Sequence, residues 1–207
     1  PLLHVYDDQE QERVAARARG RQVWWYVCVS PRRPYPNWFI EFSATEHRLL
    51  PGFMSYKFKT DGFLYYALAS WANYTKDSKG KWTSGRPSVL MTGGPLTNFT
   101  GNSWQNFNGD GRLVYPGNSG PVPTIRLKNI RDGLEDYIYL KMLEDAVLEV
   151  RAGKRSAPEG WLERAEAALV VNKQMVDTLT RFSTDGNILL AQREQLSVLI
   201  EQIGRKQ

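Results

Sequence analysis

Cysteine and histidine are nearly absent from this 207-residue chain, which has one Cys and two His. A lone Cys28 excludes an intrachain disulfide and, set in an apolar run, reads as a small buried hydrophobe. With His4 and His47 as the only histidines, a zinc site or a Cys–His nucleophile has too few groups to draw on. No stretch approaches the ~18 apolar residues of a membrane span. Neither a glycine-rich phosphate loop nor a nucleophile elbow occurs. No metal or cofactor is expected, and no membrane partner. The opening residues, PLLHVYDDQEQERV, are interrupted by acidic side chains too soon for a secretory signal.

What is present is an ordinary globular composition: 42% hydrophobic, 24% charged, mean hydropathy −0.48. The net charge of +5 comes from scattered Lys and Arg. The densest groups, Arg17-Arg19-Arg21 and Arg151-Lys154-Arg155, sit among Glu and Asp, so they read as solvated faces and not as a nucleic-acid track. Aromatics are plentiful, with seven Trp, ten Tyr and eight Phe. Most lie between residues 24 and 115. Beyond residue 117 only Tyr137, Tyr139, Trp161 and Phe182 occur, so the chain has two compositional parts.

Along the chain, residues 8–19 read as a helix headed by Asp7-Asp8 and stopped by Gly20. Residues 23–30, VWWYVCVS, read as a strand buried on both faces. A Pro-rich loop (31–38) leads to a helix over 43–58, with Ser43 and Glu46 in capping-box spacing and Pro51-Gly52 as a kink or break. Residues 62–71 are a second buried strand. Residues 72–108 show no periodicity and read as a long functional loop. Residues 111–117 form a third strand. A long amphipathic helix covers 124–150, with apolar residues at Ile125, Leu127, Ile130, Leu134, Ile138, Leu140 and Leu143. Two surface-amphipathic helices follow, over 158–181 and 188–204. Strands alternating with helices predict an α/β fold with parallel strands and right-handed crossovers.

In such folds the chemistry sits in loops after the C-terminal strand ends. Exposed aromatics mixed with Asn, Asp and Ser suit carbohydrate, because ring faces pack on sugar C–H groups while polar groups take the hydroxyls. Trp71 and Trp104, beside polar loops, read as binding residues. Trp24, Tyr26, Phe63 and Tyr65 lie in strands where alternation sends some of them inward to the core. Asp110, in NGDG, is equally a turn former. Asp132, Glu135 and Asp136 read as capping, salt-bridge or solvated residues. No two carboxylates stand at two strand ends, as acid/base glycoside chemistry requires. Asn73-Tyr74-Thr75 and Asn98-Phe99-Thr100 are N-glycosylation sequons; they favour an extracellular setting.

The ordered series VWWYVCVSPRRPYPNWFIE, EHRLLPGF, DGFLYYALASW, NGDGRLVYPG and GPVPTIRLKNIRDGLEDYIYL resembles the C-terminal part of the catalytic domain of glycoside hydrolase family 123. IRDGLEDYIYL is its most specific piece. The resemblance implies a (β/α)₈ barrel acting on N-acetyl-β-galactosaminides by a retaining, substrate-assisted mechanism. There the substrate's 2-acetamido group is the nucleophile, an Asp orients it, and an adjacent Glu is the general acid/base. This chain has no Asp-Glu dipeptide at a strand end: Asp7-Asp8 heads a helix, and Glu144-Asp145 is reversed and helical. At 207 residues it also falls short of the ~250 of a full barrel. The catalytic pair is therefore expected upstream of Pro1, with no catalytic residue in this chain. Residues 1–150 are expected to be the last three or so β/α units of a partial barrel, and 151–207 a helical extension. The resemblance implies a supporting sugar wall of Trp24, Trp25, Tyr26, Tyr65, Tyr66, Trp71, Asn108 and Asp110, to which the loop reading adds Trp104. At Tyr66 many relatives carry Trp. Exposed edges of a partial barrel predict self-association or pairing with an N-terminal portion. A non-catalytic carbohydrate-binding or interaction module is the alternative.

Overall fold

The computed structural model describes residues 1–70, 72–87, 102–104, 107–117 and 120–204. The protein is mixed α/β and divides into two compact units, residues 1–43 with 61–129 and residues 44–60 with 130–207.

The first unit is built on two parallel strands. Helices α1 (Leu3–Asp8) and α2 (Glu10–Ala18) lead into β1 (Trp24–Val27). It pairs in parallel with β2 (Gly62–Tyr65), in the register Trp24↔Gly62 to Val27↔Tyr65. Asp61 fixes the start of this pair. Its Oδ2 accepts from Val23 N at 2.7 Å and Arg17 Nε at 3.1 Å, while its own N–H donates to Val23 O at 3.0 Å. The β-branched and aromatic run reads as a strand because both alternating faces are apolar, but the two strands are not buried on both faces as expected, since Trp24 and Leu64 are exposed. One face carries Trp25, Val27, Phe63 and Tyr65. Trp25 is buried between Tyr6 and Phe63, with ring centroids 5.1 and 6.3 Å away.

The remaining strands depart from expectation. Residues 72–108, expected as one long loop, contain β3 (Ala72–Lys76) paired antiparallel with β4 (Trp82–Pro87), and β5 (Asn102–Trp104) with β6 (Phe107–Asn108). The first hairpin closes on Asp77, whose Oδ1 accepts from the N–H groups of Lys79 and Lys81, both at 2.9 Å. Gly80 supplies the positive φ that this turn needs. The third expected strand is not parallel either. Strand β7 (Val114–Gly117) folds back antiparallel on β8 (Gly120–Pro123). Gly117 pairs with Gly120 across this hairpin, so the chain reverses before a crossover helix can form. Asp7-Asp8 ends α1 instead of heading a helix.

Thr124 starts the long helix α5 (Ile125–Arg151). Its hydroxyl donates to Leu113 O at 2.8 Å and accepts from Leu127 N at 3.2 Å, an N-cap arrangement. Of the apolar positions expected inside, Ile130, Leu140 and Leu143 are buried, but Ile125, Leu134 and Ile138 are exposed.

The second unit is helical. Helix α3 (Ala44–Leu49), a π-helical turn (Leu50–Met54) and α4 (Ser55–Lys57) run on through Pro51-Gly52. The expected kink falls at Gly52, whose ψ of −107° is not helical. That bend admits α5: a Cβ on Gly52 would lie 2.7 Å from Gly133 O, and one on Gly133 would lie 2.2 Å from Arg48 O. Helix α6 covers only Trp161–Leu169, not 158–181. It stops because Gln192, on α7 (Gly186–Gly204), caps it: Nε2 donates to Ala168 O at 3.1 Å and Val170 O at 3.0 Å, and Oε1 accepts from Asn172 N at 3.1 Å. Leu49, Phe53, Leu140, Leu143, Trp161 and Leu196 form its core.

Candidate functional site

At the C-terminal end of β2 the chain places three of the expected residues together. Tyr65 closes the strand and Tyr66 follows it. The NGDG turn brings Asp110 against both. The Tyr65 hydroxyl donates to Asp110 Oδ1 at 3.1 Å and accepts from Gly111 N at 2.6 Å. Gly109 and Gly111 both have positive φ, 74° and 68°, so the turn needs glycine on either side of Asp110. At Gly111 close approach adds to that: a Cβ would sit 2.3 Å from the Tyr66 hydroxyl. The loop is tied to the segment after β2 as well. Leu113 N donates to Leu68 O at 2.8 Å, and Arg112 Nε donates to Ser70 O at 2.8 Å.

Asp110 is fully buried, and its Oδ2 has no hydrogen-bond partner among the described residues. Burial raises the carboxyl above the usual carboxylate range, opposed by the Tyr65 and Tyr66 phenols and by the Arg126 charge. Tyr65 is pushed far above its ordinary value, first by burial and then by the Asp110 charge. Tyr26 is also raised, by burial, then by Cys28, with Asp110 a smaller contributor. A buried carboxylate oxygen with spare accepting capacity is costly unless something uses it.

The other expected residues are dispersed. Trp25 is buried in the core. Trp24 is 46% exposed but stands at the N-terminal end of β1. Its indole lies over Gly62, where a Cβ would come within 2.4 Å of the ring, and its Nε1 donates to Gln22 at 3.1 Å. Tyr66 is also 46% exposed and offers a ring at the Asp110 end. Trp71 lies outside the described residues. Trp104 closes β5 and Asn108 closes β6, and their side chains are outside the description as well. Of the two sequons, Asn73 begins in β3, and 98–100 lie outside the described residues.

Three contributors are not among the expected site residues. Trp38 stacks on Phe63 at 4.6 Å and meets Tyr65 edge-on at 4.9 Å. Asn37 positions it. This fully buried amide donates to Cys28 O and Pro31 O, both at 2.8 Å, and its Oδ1 takes the Trp38 N–H at 2.7 Å. Arg126, on the first turn of α5, is buried beneath the NGDG turn. A cation at a helix N-terminus opposes the macrodipole, and that anomaly was the signal available for it. Among the described residues no cluster of three or more His, Cys, Asp or Glu could hold a metal ion, and no helix is long and apolar enough to cross a membrane.

An aromatic wall around a buried carboxylate at a strand's C-terminal end is the kind of surface that carbohydrate-active enzymes use. Residues 2–143 match the family model described as "Glycoside hydrolase 123, catalytic domain". The match covers well over half of the chain, which therefore belongs to glycoside hydrolase family 123. No curated protein matches it.

Proposed function

We propose that this chain forms the substrate-binding side of a hydrolase for β-linked N-acetylhexosaminides, N-acetylgalactosaminides first. The family match over residues 2–143 carries this reading. The parent reaction is substrate-assisted retention, with the 2-acetamido group as nucleophile. It needs an adjacent Asp-Glu pair, and the 207 residues contain no Asp-Glu dipeptide. The pair therefore belongs to a segment upstream of Pro1. Residues 1–150 would be the closing units of a (β/α)₈ barrel and 151–207 a helical extension. The two-stranded parallel sheet supports this, since parallel strands are stable in larger, doubly covered sheets. Among the described residues its edges carry little pairing beyond the Leu2–Tyr26 bridge, which favours pairing with that upstream portion or self-association.

Within the wall, Tyr66 would pack its ring on the sugar, while Tyr65 and Asp110 form the polar floor. Trp24, Trp25 and Tyr26 would buttress the strands, and Trp71, Trp104 and Asn108 stay candidate sugar contacts on the sequence reading alone. The missing dipeptide also favours a second reading, a non-catalytic carbohydrate-binding module that keeps the wall. Calorimetric titration with N-acetylgalactosamine, beside an assay on an aryl N-acetyl-β-galactosaminide, tests both. Binding without turnover is expected. Robust turnover would overturn the placement of the carboxylate pair, and a folded chain that binds no amino sugar would overturn the wall.

A further inference from the structure

We propose that Arg126 is a positioning residue of this site: its buried guanidinium gathers three backbone carbonyls and so sets the turn that presents Asp110. The ligand in this inference rests on the carbohydrate reading above; the clamp itself does not. Arg126 Nη1 donates to Trp38 O at 2.6 Å and Gly109 O at 2.8 Å, and Nη2 donates to Arg112 O at 2.5 Å. Gly109 and Arg112 flank Asp110 in the chain, so two of the three bonds define the turn's span. The third reaches Trp38, whose ring packs on Tyr65, the residue that bonds Asp110. Both partners of the Tyr65–Asp110 pair are thus referenced to one rigid group. A guanidinium suits this task because its donors are fixed in a plane, whereas an ammonium is a single point charge. Gly109 is part of the device. A Cβ there would lie 2.6 Å from Arg126 Nη2 and 2.8 Å from Cζ, so only glycine lets the guanidinium lie against the turn. The charge matters as well as the shape, since Arg126 opposes the upward push that burial exerts on Asp110.

The test uses the full chain with Arg126→Lys and Arg126→Gln. Three quantities are read: hydrogen exchange at the Gly111 amide, the Asp110 carboxyl titration by ¹³C NMR, and calorimetric affinity for N-acetylgalactosamine. Both variants should lose Gly111 protection and sugar affinity by on the order of tenfold or more. Only Arg126→Gln, which lacks the charge, should move the Asp110 midpoint clearly upward. Lysine holding all three quantities at wild-type values would overturn the proposal, because shape would then be irrelevant. If the wild type binds no amino sugar, the carbohydrate reading fails while exchange and titration still judge the clamp. If the Arg126 variants do not fold, Gly109→Ala takes their place. It keeps the arginine but displaces it, and a folded Gly109→Ala protein with unchanged Gly111 exchange would overturn the proposal.

Discussion

Replacing Asp136 by Asn tests how the helical unit is held together. The carboxylate is fully buried and gripped by two guanidiniums. Arg48 donates Nε at 2.6 Å and Nη2 at 2.8 Å, and Arg193 donates Nη1 at 2.5 Å. These contacts join α3, α5 and α7. Asparagine keeps the shape, removes the charge and turns one acceptor into a donor that faces a guanidinium. Removing one member of a buried pair costs about 3–5 kcal/mol, because the other charge is left without compensation. The arginine side chains keep 17% and 23% of their exposure, so they regain some hydration and the loss should fall near the lower end, ~3 kcal/mol. With a urea slope of roughly 2 kcal/mol per M, the midpoint should drop by about 1.5 M. Ordinary Trp fluorescence is the wrong probe, because six of the seven Trp lie in the other unit. Trp161 is the exception; it is buried and donates Nε1 to Leu199 O at 2.9 Å. Its ¹⁹F signal in fluorotryptophan-labelled protein follows the helical unit alone. A midpoint lowered by less than about 0.5 M would refute the idea that this carboxylate anchors the three helices.

Four further outcomes are expected. Gly133→Ala should destabilise by ~1–3 kcal/mol, although helix propensity alone favours Ala by about 1 kcal/mol, because the new Cβ meets Arg48 O at 2.2 Å; a raised melting temperature would contradict the close packing. Gln192→Ala removes three hydrogen bonds from the end of α6 and should cost about 2 kcal/mol, with faster exchange at the Asn172 amide. Asp110 is raised by burial from an ordinary value of 3.8, so it adds stability below that pH and loses it as pH climbs through the folded-state value. Asp110→Asn should therefore melt above the wild type at pH 7, with the gap closing toward pH 4; a gap of constant size would show that ionisation is not involved. For N-acetylgalactosamine, calorimetry should find a larger loss of affinity with Tyr66→Ala than with Trp24→Ala, and the reverse order would move the site to the other end of the strands.

Legibility followed the range of the interactions. Strands β1 and β2 and helices α5 and α7 announce themselves through local apolar patterning, and the family resemblance came from ordered motifs, so both could be read from the chain. The end of α6 could not be read, because the side chain that stops it, Gln192, lies more than twenty residues downstream. Asp136 looked like its neighbours Asp132 and Glu135. Asp132 pairs with the exposed Arg131, whereas Asp136 meets Arg48 and Arg193, far away in sequence. The hairpin at residues 72–87 is hidden in the sequence for a different reason. Its signal was local, the Asp77 to Gly80 turn, but its polar strands lack the hydrophobic alternation that marks a buried sheet.

The concentration of aromatics in the first part of the chain had suggested one sugar-facing wall. The β1–β2 register divides it. Trp24 pairs with Gly62 and Val27 with Tyr65, and three residues of extended chain span about 10 Å. Trp24 covers the N-terminal end of the strands, while Tyr65, Tyr66 and Asp110 stand at the C-terminal end, the end that carries the active site in α/β barrels. Only the second group has a buried acceptor to spare, and only there does a cation hold the turn from beneath. The aromatic count therefore reflects two tasks. Trp24 and Trp25 help to hold the parallel strands, and Tyr65 and Tyr66 frame a carboxylate whose setting depends on Gly109, Gly111 and Arg126.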